Sequence, residues 1–240
     1  GDELGNLARA FNRMSESLRE MLTAREQLLL DVSHELRSPL TRMKVALEFI
    51  PEDSSRESLQ SDVQEMEQMV TEILETARLK SEYAKLDRQA TDLGPLTQQA
   101  CLKFKGKAPG IRFENSTDKC IAQVDVEQIQ TVLKNILANA LKYSAPENEP
   151  IKVYLSRDES GIQLEIQDYG QGIPDEEMDL IFEPFYRVDK SRNKKTGGYG
   201  LGLSLCKTII EAHGGTISVK SSLGQGTIFS LLLPNSSSTI

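Results

Sequence analysis

The sequence predicts two regions of different class in tandem. A helical hairpin pairs with a second copy of itself into an antiparallel four-helix bundle, and an α/β sandwich follows it. Three observations lead there. Apolar residues recur at helical spacing from about residue 4 to residue 80. The proline and serines of "PEDSSR", residues 51–56, break that pattern once. Beyond residue 92, short runs alternating apolar and polar residues take turns with amphipathic helices.

In the first helix Met14, Leu18, Met21, Leu28 and Val32 carry the seam, which Arg25 interrupts, and Leu29, Leu36, Leu40, Met43, Leu47 and Ile50 continue it. In the second, Leu59, Val63, Met66, Val70, Ile73 and Ala77 are spaced 4, 3, 4, 3, 4, a heptad seam. Two such helices joined by a short loop leave an apolar stripe too long for water, and pairing two hairpins buries it. A coiled-coil spacer without chemistry explains the seam equally well. It does not explain His34 in "LLLDVSHELRSPL", which has Asp31 and Glu35 nearby. At ~100° per residue, His34 falls opposite the seam and should be exposed, with Ser38 one turn further on the same face. Such a histidine is most often only solvated. Pro39, inside the same helical pattern, removes a backbone donor and should bend the helix just after it.

The α/β region follows a linker, "YAKLDRQATD". A helix is expected near 93–105, strands at 111–115 and 120–124, a long helix at 126–144, strands "IKVYLS" and "GIQLEIQ", a helix after Gly202, and a closing hairpin of "TISVKS" and "TIFSLLL".

Composition narrows the classes. The 240 residues are 38% hydrophobic, enough for one large or two modest cores, and 28 basic against 36 acidic residues leave a net charge of −8. With no basic patch carrying interleaved aromatics, nucleic-acid binding is not expected. Cys101, Cys120 and Cys206 stand far apart, which fits a reduced compartment and makes a structural zinc site improbable. No apolar run reaches 18 residues, so no helical span is expected. The opening "GDELGNLARAFNRM" lacks an initiator methionine and reads as the start of a fragment.

Four polar clusters in the second region point to a nucleotide. In "NILANALKY", Asn135 and Asn139 share a helix face with Lys142 close behind; amide oxygens suit Mg²⁺ and an ammonium suits phosphate. Buried or capping asparagines are the plainer account of that cluster. In "DYGQG", Asp168 ends a strand where its carboxylate can accept from an adenine amino group, and Gly170 and Gly172 make the turn. In "GGYGLGL", Gly198, Gly200 and Gly202 lead into a helix whose free amides would seat a phosphate. "LGQGT" precedes the last strand and by itself is an ordinary hairpin turn. Between the second and third clusters Arg187, Lys190, Arg192, Lys194 and Lys195 form a basic segment that would close over phosphates or remain a surface loop.

"SHELRSPL", "NILANALKY", "DYGQG", "FEPFYR", "GYGLGL" and "GQGT", in this order over residues 33–227, resemble the histidine, asparagine, glycine and phenylalanine boxes of bacterial two-component sensor histidine kinases. "DELGNLARAFNRM" resembles the end of a HAMP signalling helix. The resemblance implies a HAMP remnant at 1–22, a dimerisation and histidine-phosphotransfer hairpin at 23–84, a linker at 85–92, a catalytic ATP-binding domain at 93–235 and a tail at 236–240. That domain would have the Bergerat fold of the gyrase, Hsp90, histidine-kinase and MutL superfamily.

It further implies that His34 accepts the γ-phosphoryl of ATP with Glu35 as general base, and that a response regulator then takes the group onto its own aspartate. Asn135 and Asn139 would serve Mg²⁺ and phosphates, Lys142 phosphate, Tyr143 the nucleotide and Asp168 the adenine. Gly170, Gly172, Gly198, Gly200 and Gly202 would shape the pocket and lid, and Ile173, Arg187, Lys190, Leu201, Leu203 and Thr227 complete the set. Ser38 stands where members with strong phosphatase activity carry Thr or Asn, so that activity is expected to be weak. The whole protein would be a homodimeric sensor of the inner membrane, of which this chain is the cytoplasmic portion. Two rivals are a non-catalytic ATP-binding sensor and a gyrase- or Hsp90-type ATPase. The His34–Glu35 pair speaks against the first, and Asn rather than Glu at position 135 against the second.

Overall fold

The computed structural model describes residues 3–51, 54–80, 86–117, 119–188 and 199–235; in the first helix the side chains of 3–5, 19, 20, 22–31, 33 and 34 are outside that description, as is that of residue 54. The chain divides into two compact units, residues 1–84 and 85–240.

The first unit is a hairpin of α1 (Glu3–Leu47) and α2 (Ser54–Leu79). Helix α1 runs through Pro39, which costs the carbonyl of residue 35 its hydrogen-bond partner without ending the helix. Its exit tightens through i→i−3 bonds from Glu48, Phe49 and Ile50. Leu40, Leu47 and Val63 form a buried core with Val70 packed on it, and Lys44 pairs with Glu67 across the two helices. The heptad seam thus divides in two. Leu40, Leu47 and Val63 point into the hairpin, whereas Val32, Leu36, Met43, Ile50, Leu59, Met66 and Ile73 remain exposed on the single chain. Leu7, Phe11, Met14, Leu18 and Met21 are also exposed, more fully still.

The second unit is a two-layer α/β fold. Its main sheet has the order β2-β4-β5-β7-β6, with β2 (Ile111–Asn115) parallel to β4 (Ile151–Arg157) and the remaining pairings antiparallel, through β5 (Ile162–Asp168), β7 (Gly226–Leu233) and β6 (Thr216–Ser222). Period-two alternation sends Ile151, Val153 and Leu155, Ile162, Leu164 and Ile166, and Phe229, Leu231 and Leu233 to one buried face. Helix α4 (Val126–Tyr143) covers them with Ile129, Val132, Leu133, Ile136, Leu137 and Ala140, at the spacing of an amphipathic stripe, and α5 (Gly202–Ala212) adds Leu205, Cys206, Ile209 and Ile210.

Residues 89–92, expected as linker, are a strand. Here β1 (Gln89–Asp92) pairs antiparallel with β3 (Ile121–Val124) as a separate two-stranded sheet, leading directly into α3 (Leu93–Leu102). Asp92 caps α3 by accepting from the Gly94 amide at 3.1 Å, and Asp125 caps α4 by accepting from that of Gln128 at 3.2 Å. No described helix is long and apolar enough to cross a membrane.

Candidate functional site

Asp168 is the last residue of β5 and lies on the buried face, 5% exposed. Its Oδ1 accepts from the backbone N–H of Gly170 at 2.9 Å and of Thr227 at 3.2 Å. Its Oδ2 has no partner among the described residues. Burial raises its pKa above the ordinary carboxylate range, and the two N–H bonds pull it partly back. A carboxylate with one oxygen anchored and the other open is built to accept from a ligand donor.

The glycines are there for lack of space. A Cβ on Gly170 would stand 2.3 Å from the Tyr143 carbonyl oxygen, and one on Gly226, at φ 96°, would stand 2.1 Å from the Asp168 carbonyl oxygen. The "DYGQG" turn can therefore close against the end of α4, where Tyr143 is half-exposed and the Lys142 ammonium lies 4.9 Å from its ring centre.

Asn135 lies in the middle of α4 and faces the start of α5, where a Cβ on Gly202 would meet its amide carbon at 3.5 Å. Its Nδ2 is fully buried and has no partner among the described residues. Helix α5 starts at Gly202 after Leu201, and among the described residues no side chain caps its first amides, which suits an anion. Asn139, half-buried, follows Asn135 one turn along α4. The side-chain oxygens of Asn135 and Asn139, one turn apart, fit hydrated Mg²⁺, while Asn135 Nδ2 and the α5 N–H groups are donors that fit the phosphates carrying it. Among the described residues no cluster of three His, Cys, Asp or Glu could hold a metal alone. A cleft of about 300 Å³ between α3 and α4, lined by Lys103, Phe104, Glu127 and Lys134, contains none of these groups.

The remaining expected residues divide. Leu201 is buried, and Ile173, Arg187, Gly200 and Leu203 are half-buried. The Phe185 amide donates to the Gly200 carbonyl at 3.0 Å, tying "FEPFYR" to the glycine segment; Phe185 has φ 66°, a conformation bulky residues rarely adopt. Lys190 and Gly198, with Arg192, Lys194 and Lys195, lie outside the described residues, as does the side chain of His34 and with it the expectation that the ring is exposed. Glu35 and Ser38 are exposed on α1, and Ser38 Oγ accepts from Arg42 Nη1 at 2.8 Å.

Sequence reasoning missed two residues. Ser221, on β6 directly opposite Thr227, bonds to Thr227, Gly226 and Ile173; nothing in the sequence marks it before the β6–β7 register is set. His213, the second histidine, is 2% exposed at the end of α5, with Nδ1 2.7 Å from the Ile209 carbonyl and Nε2 accepting from the Asp125 amide at 3.0 Å. It stitches the end of α5 to the start of α4.

Residues 24–82 match the His Kinase A (phospho-acceptor) domain, and residues 124–237 match the histidine kinase-, DNA gyrase B- and HSP90-like ATPase. The sensor histidine kinase MtrB of Mycobacterium leprae is 32% identical over 253 residues, covering 97% of this chain and 45% of that protein. The signal transduction histidine-protein kinase ArlS of Staphylococcus aureus is 32% identical over 242 residues, covering 96% and 53%. The chain thus spans about half the length of the curated relatives it matches. Among solved structures, full-length ShkA in complex with AMPPNP superposes with a TM-score of 0.74 at 25% identity, over 88% of this chain and 46% of that one. Acinetobacter baumannii AdeS, at 23% identity, shares the fold with a TM-score of 0.64 over 85% of this chain and 98% of its own. With both domain models in register and the anchored Asp168, the amide pair of α4 and the uncapped α5 assembled in the second unit, the chain belongs to the two-component sensor histidine kinases.

Proposed function

We propose that the chain is the kinase core of a homodimeric membrane sensor, phosphorylating His34 from ATP and passing the phosphoryl group to an aspartate of a response regulator. The observation that carries it is Asp168, buried with one oxygen anchored and the other open beside Thr227. Oδ2 accepts the adenine amino group, and Tyr143 borders the nucleotide. The α5 amides, Asn135, Asn139 and Lys142 receive the phosphates, with Arg187, Lys190 and the Gly198–Gly202 segment closing over them. Asn135 and Asn139 would hold Mg²⁺, which supplies charge neutralisation to the phosphates when bound.

At the other unit an imidazole nitrogen of His34 attacks the γ-phosphorus and the bond from that phosphorus to the ADP oxygen breaks. Glu35 takes the proton on the other ring nitrogen, which keeps positive charge from accumulating on the ring. Phosphotransfer to a regulator aspartate reverses the bonding at the histidine. Hydrolysis of the regulator's acyl phosphate needs a water held near Ser38, whose hydroxyl already accepts from Arg42. The homodimer is supported by the exposed half of the heptad seam, Leu36, Met43, Met66 and Ile73, which a second hairpin would bury.

Incubation with γ-labelled ATP tests the reading. Acid-labile label on the protein is expected, and its loss in His34→Gln with nucleotide affinity unchanged. Label persisting in that variant places the acceptor elsewhere. Free phosphate without labelled protein favours the ATPase reading, and ATP binding with neither product favours the non-catalytic one.

A further inference from the structure

Thr227 stands across the ladder from Asp168 on one side and from Ser221 on the other. Its backbone N–H is spent on Asp168 Oδ1, so its hydroxyl is what it can offer a ligand. Ser221 decides where that proton goes. Ser221 Oγ lies 2.8 Å from the Ile173 amide nitrogen, 2.8 Å from the Gly226 carbonyl oxygen and 2.9 Å from Thr227 Oγ1. A serine hydroxyl has a single proton and two lone pairs. The Ile173 amide can only donate and so takes a lone pair; the Gly226 carbonyl can only accept and so takes the proton. The third contact is then a hydrogen bond only when Thr227 supplies the hydrogen. Turning Ser221's proton toward Thr227 instead would leave the carbonyl contact with no hydrogen. Thr227 is therefore left with lone pairs, and no proton, for anything bound beside Asp168.

We infer that Ser221 is a positioning residue that sets base specificity: by taking the Thr227 proton it leaves the edge beside Asp168 as acceptor only, which admits a 6-amino purine and rejects a 6-oxo purine. This rests on the reading that the base sits against Asp168. Adenine places an amino donor there, and guanine an oxygen acceptor. A guanine oxygen would meet the ionised Oδ2 and a proton-less Thr227 oxygen, and a buried acceptor without a donor loses binding free energy. With Ser221 gone, the Thr227 hydroxyl rotates and gives its proton to that oxygen.

The test is competition of AMPPNP and GMPPNP, with Mg²⁺, against a fluorescent ATP analogue on the full chain and its Ser221→Ala, Ser221→Thr and Asp168→Ala variants, with circular dichroism reading the fold. Ser221→Ala should weaken AMPPNP roughly two- to ten-fold and narrow the AMPPNP-to-GMPPNP ratio by about five-fold or more, the scale of one hydrogen bond lost and one gained. Ser221→Thr keeps the hydroxyl and should keep the parent ratio. A ratio unchanged in Ser221→Ala, or GMPPNP failing to compete in both it and the parent, overturns the inference. So does Ser221→Thr shifting the ratio as Ser221→Ala does, and so does Ser221→Ala failing to fold when Ser221→Thr has also lost the parent ratio. Asp168→Ala keeps the two claims apart: undiminished AMPPNP binding there defeats the adenine reading itself, whereas weakened binding there with an unchanged Ser221→Ala ratio defeats only the role of Ser221.

Discussion

At Asp168 two opposed effects meet, burial disfavouring the carboxylate and two backbone N–H groups favouring it, and burial is the larger. A raised folded-state pKa means that the acid form stabilises the empty domain below the ordinary value of 3.8, and that this gain is lost as pH rises through the folded value. Nucleotide affinity should run the other way, declining on acidification while the pH is still above 3.8, since protonation removes the charged acceptor. Calorimetric titration with AMPPNP across that range checks it, and Asp168→Ala should abolish the dependence while costing about 1.5–3 kcal/mol of affinity at neutral pH, the scale of a hydrogen bond to a charged group. Equal affinity in that variant would reduce Asp168 to a turn cap.

His213 shows the opposite sign. Burial lowers its pKa, the Ile209 carbonyl at Nδ1 pulls it partly back, Arg88 nearby disfavours the cation, and Asp125 favours it more weakly; Nε2 must stay unprotonated to accept from the Asp125 amide. Its stabilisation is complete above the unfolded value of 6.5 and is lost as pH falls from there through the folded value. The melting temperature of residues 85–240 should drop between pH 7.5 and 5.5, and His213→Leu should flatten that part of the profile while lowering the plateau. At Ser38, Ser38→Ala should slow regulator dephosphorylation and Ser38→Thr should speed it, because the added methyl restricts the rotamer that holds the water. Phosphoregulator decay measured with equal kinase settles this, and an unchanged decay for Ser38→Ala leaves Ser38 as a helix-surface partner of Arg42.

Among the elements, the hairpin separates two kinds of apolar position that the heptad alone does not distinguish. Val63 is buried within one chain, whereas Met66 and Ile73, one turn and three turns further along α2, are exposed. Val63→Asp should therefore unfold the hairpin itself, burying a charge with no partner. Met66→Asp should leave helix content intact and weaken the dimer. Sedimentation with circular dichroism distinguishes the two, and a Met66→Asp chain that stays dimeric at micromolar concentration moves the interface to another face. Strand β1 raises a similar matter for the second unit. The Asp87 amide donates to Asp125 at 3.2 Å and Arg88 Nη2 to the Ala212 carbonyl at 2.6 Å, so the approach to β1 is tied to both helices of the layer.

For the whole molecule, the division at residue 84 predicts separable activities. A fragment of residues 85–240 should fold, bind AMPPNP as the full chain does and take no label from ATP. A fragment beginning at residue 93 loses β1 and those two ties, and should melt about 5 °C lower or more, on the scale of about 2 kcal/mol lost from a domain of this size. Equal melting of the two fragments would make β1 a passive appendage.

Much of this was legible from the chain alone, because periodicity and side-chain chemistry are local properties. The 3.6-residue stripe of α4 and the alternation of β4, β5 and β7 mark buried faces whatever lies opposite, and "DYGQG" or "NILANALKY" names the donors that a nucleotide needs. What only the tertiary structure decided is pairing. A strand of four residues such as β1 carries too short a pattern to separate from a linker, and its partner lies about thirty residues on. The heptad shows which residues are apolar, but the crossing of α1 and α2 chooses which half of the seam the hairpin buries for itself. Likewise Ser221 is an ordinary strand serine until β6 pairs with β7, when a register of Ser221 against Thr227 puts its one proton where it governs a neighbour's. A side chain's type belongs to the sequence, while its hydrogen-bond partner is a matter of distance, and distance between remote segments is set only when the chain closes on itself.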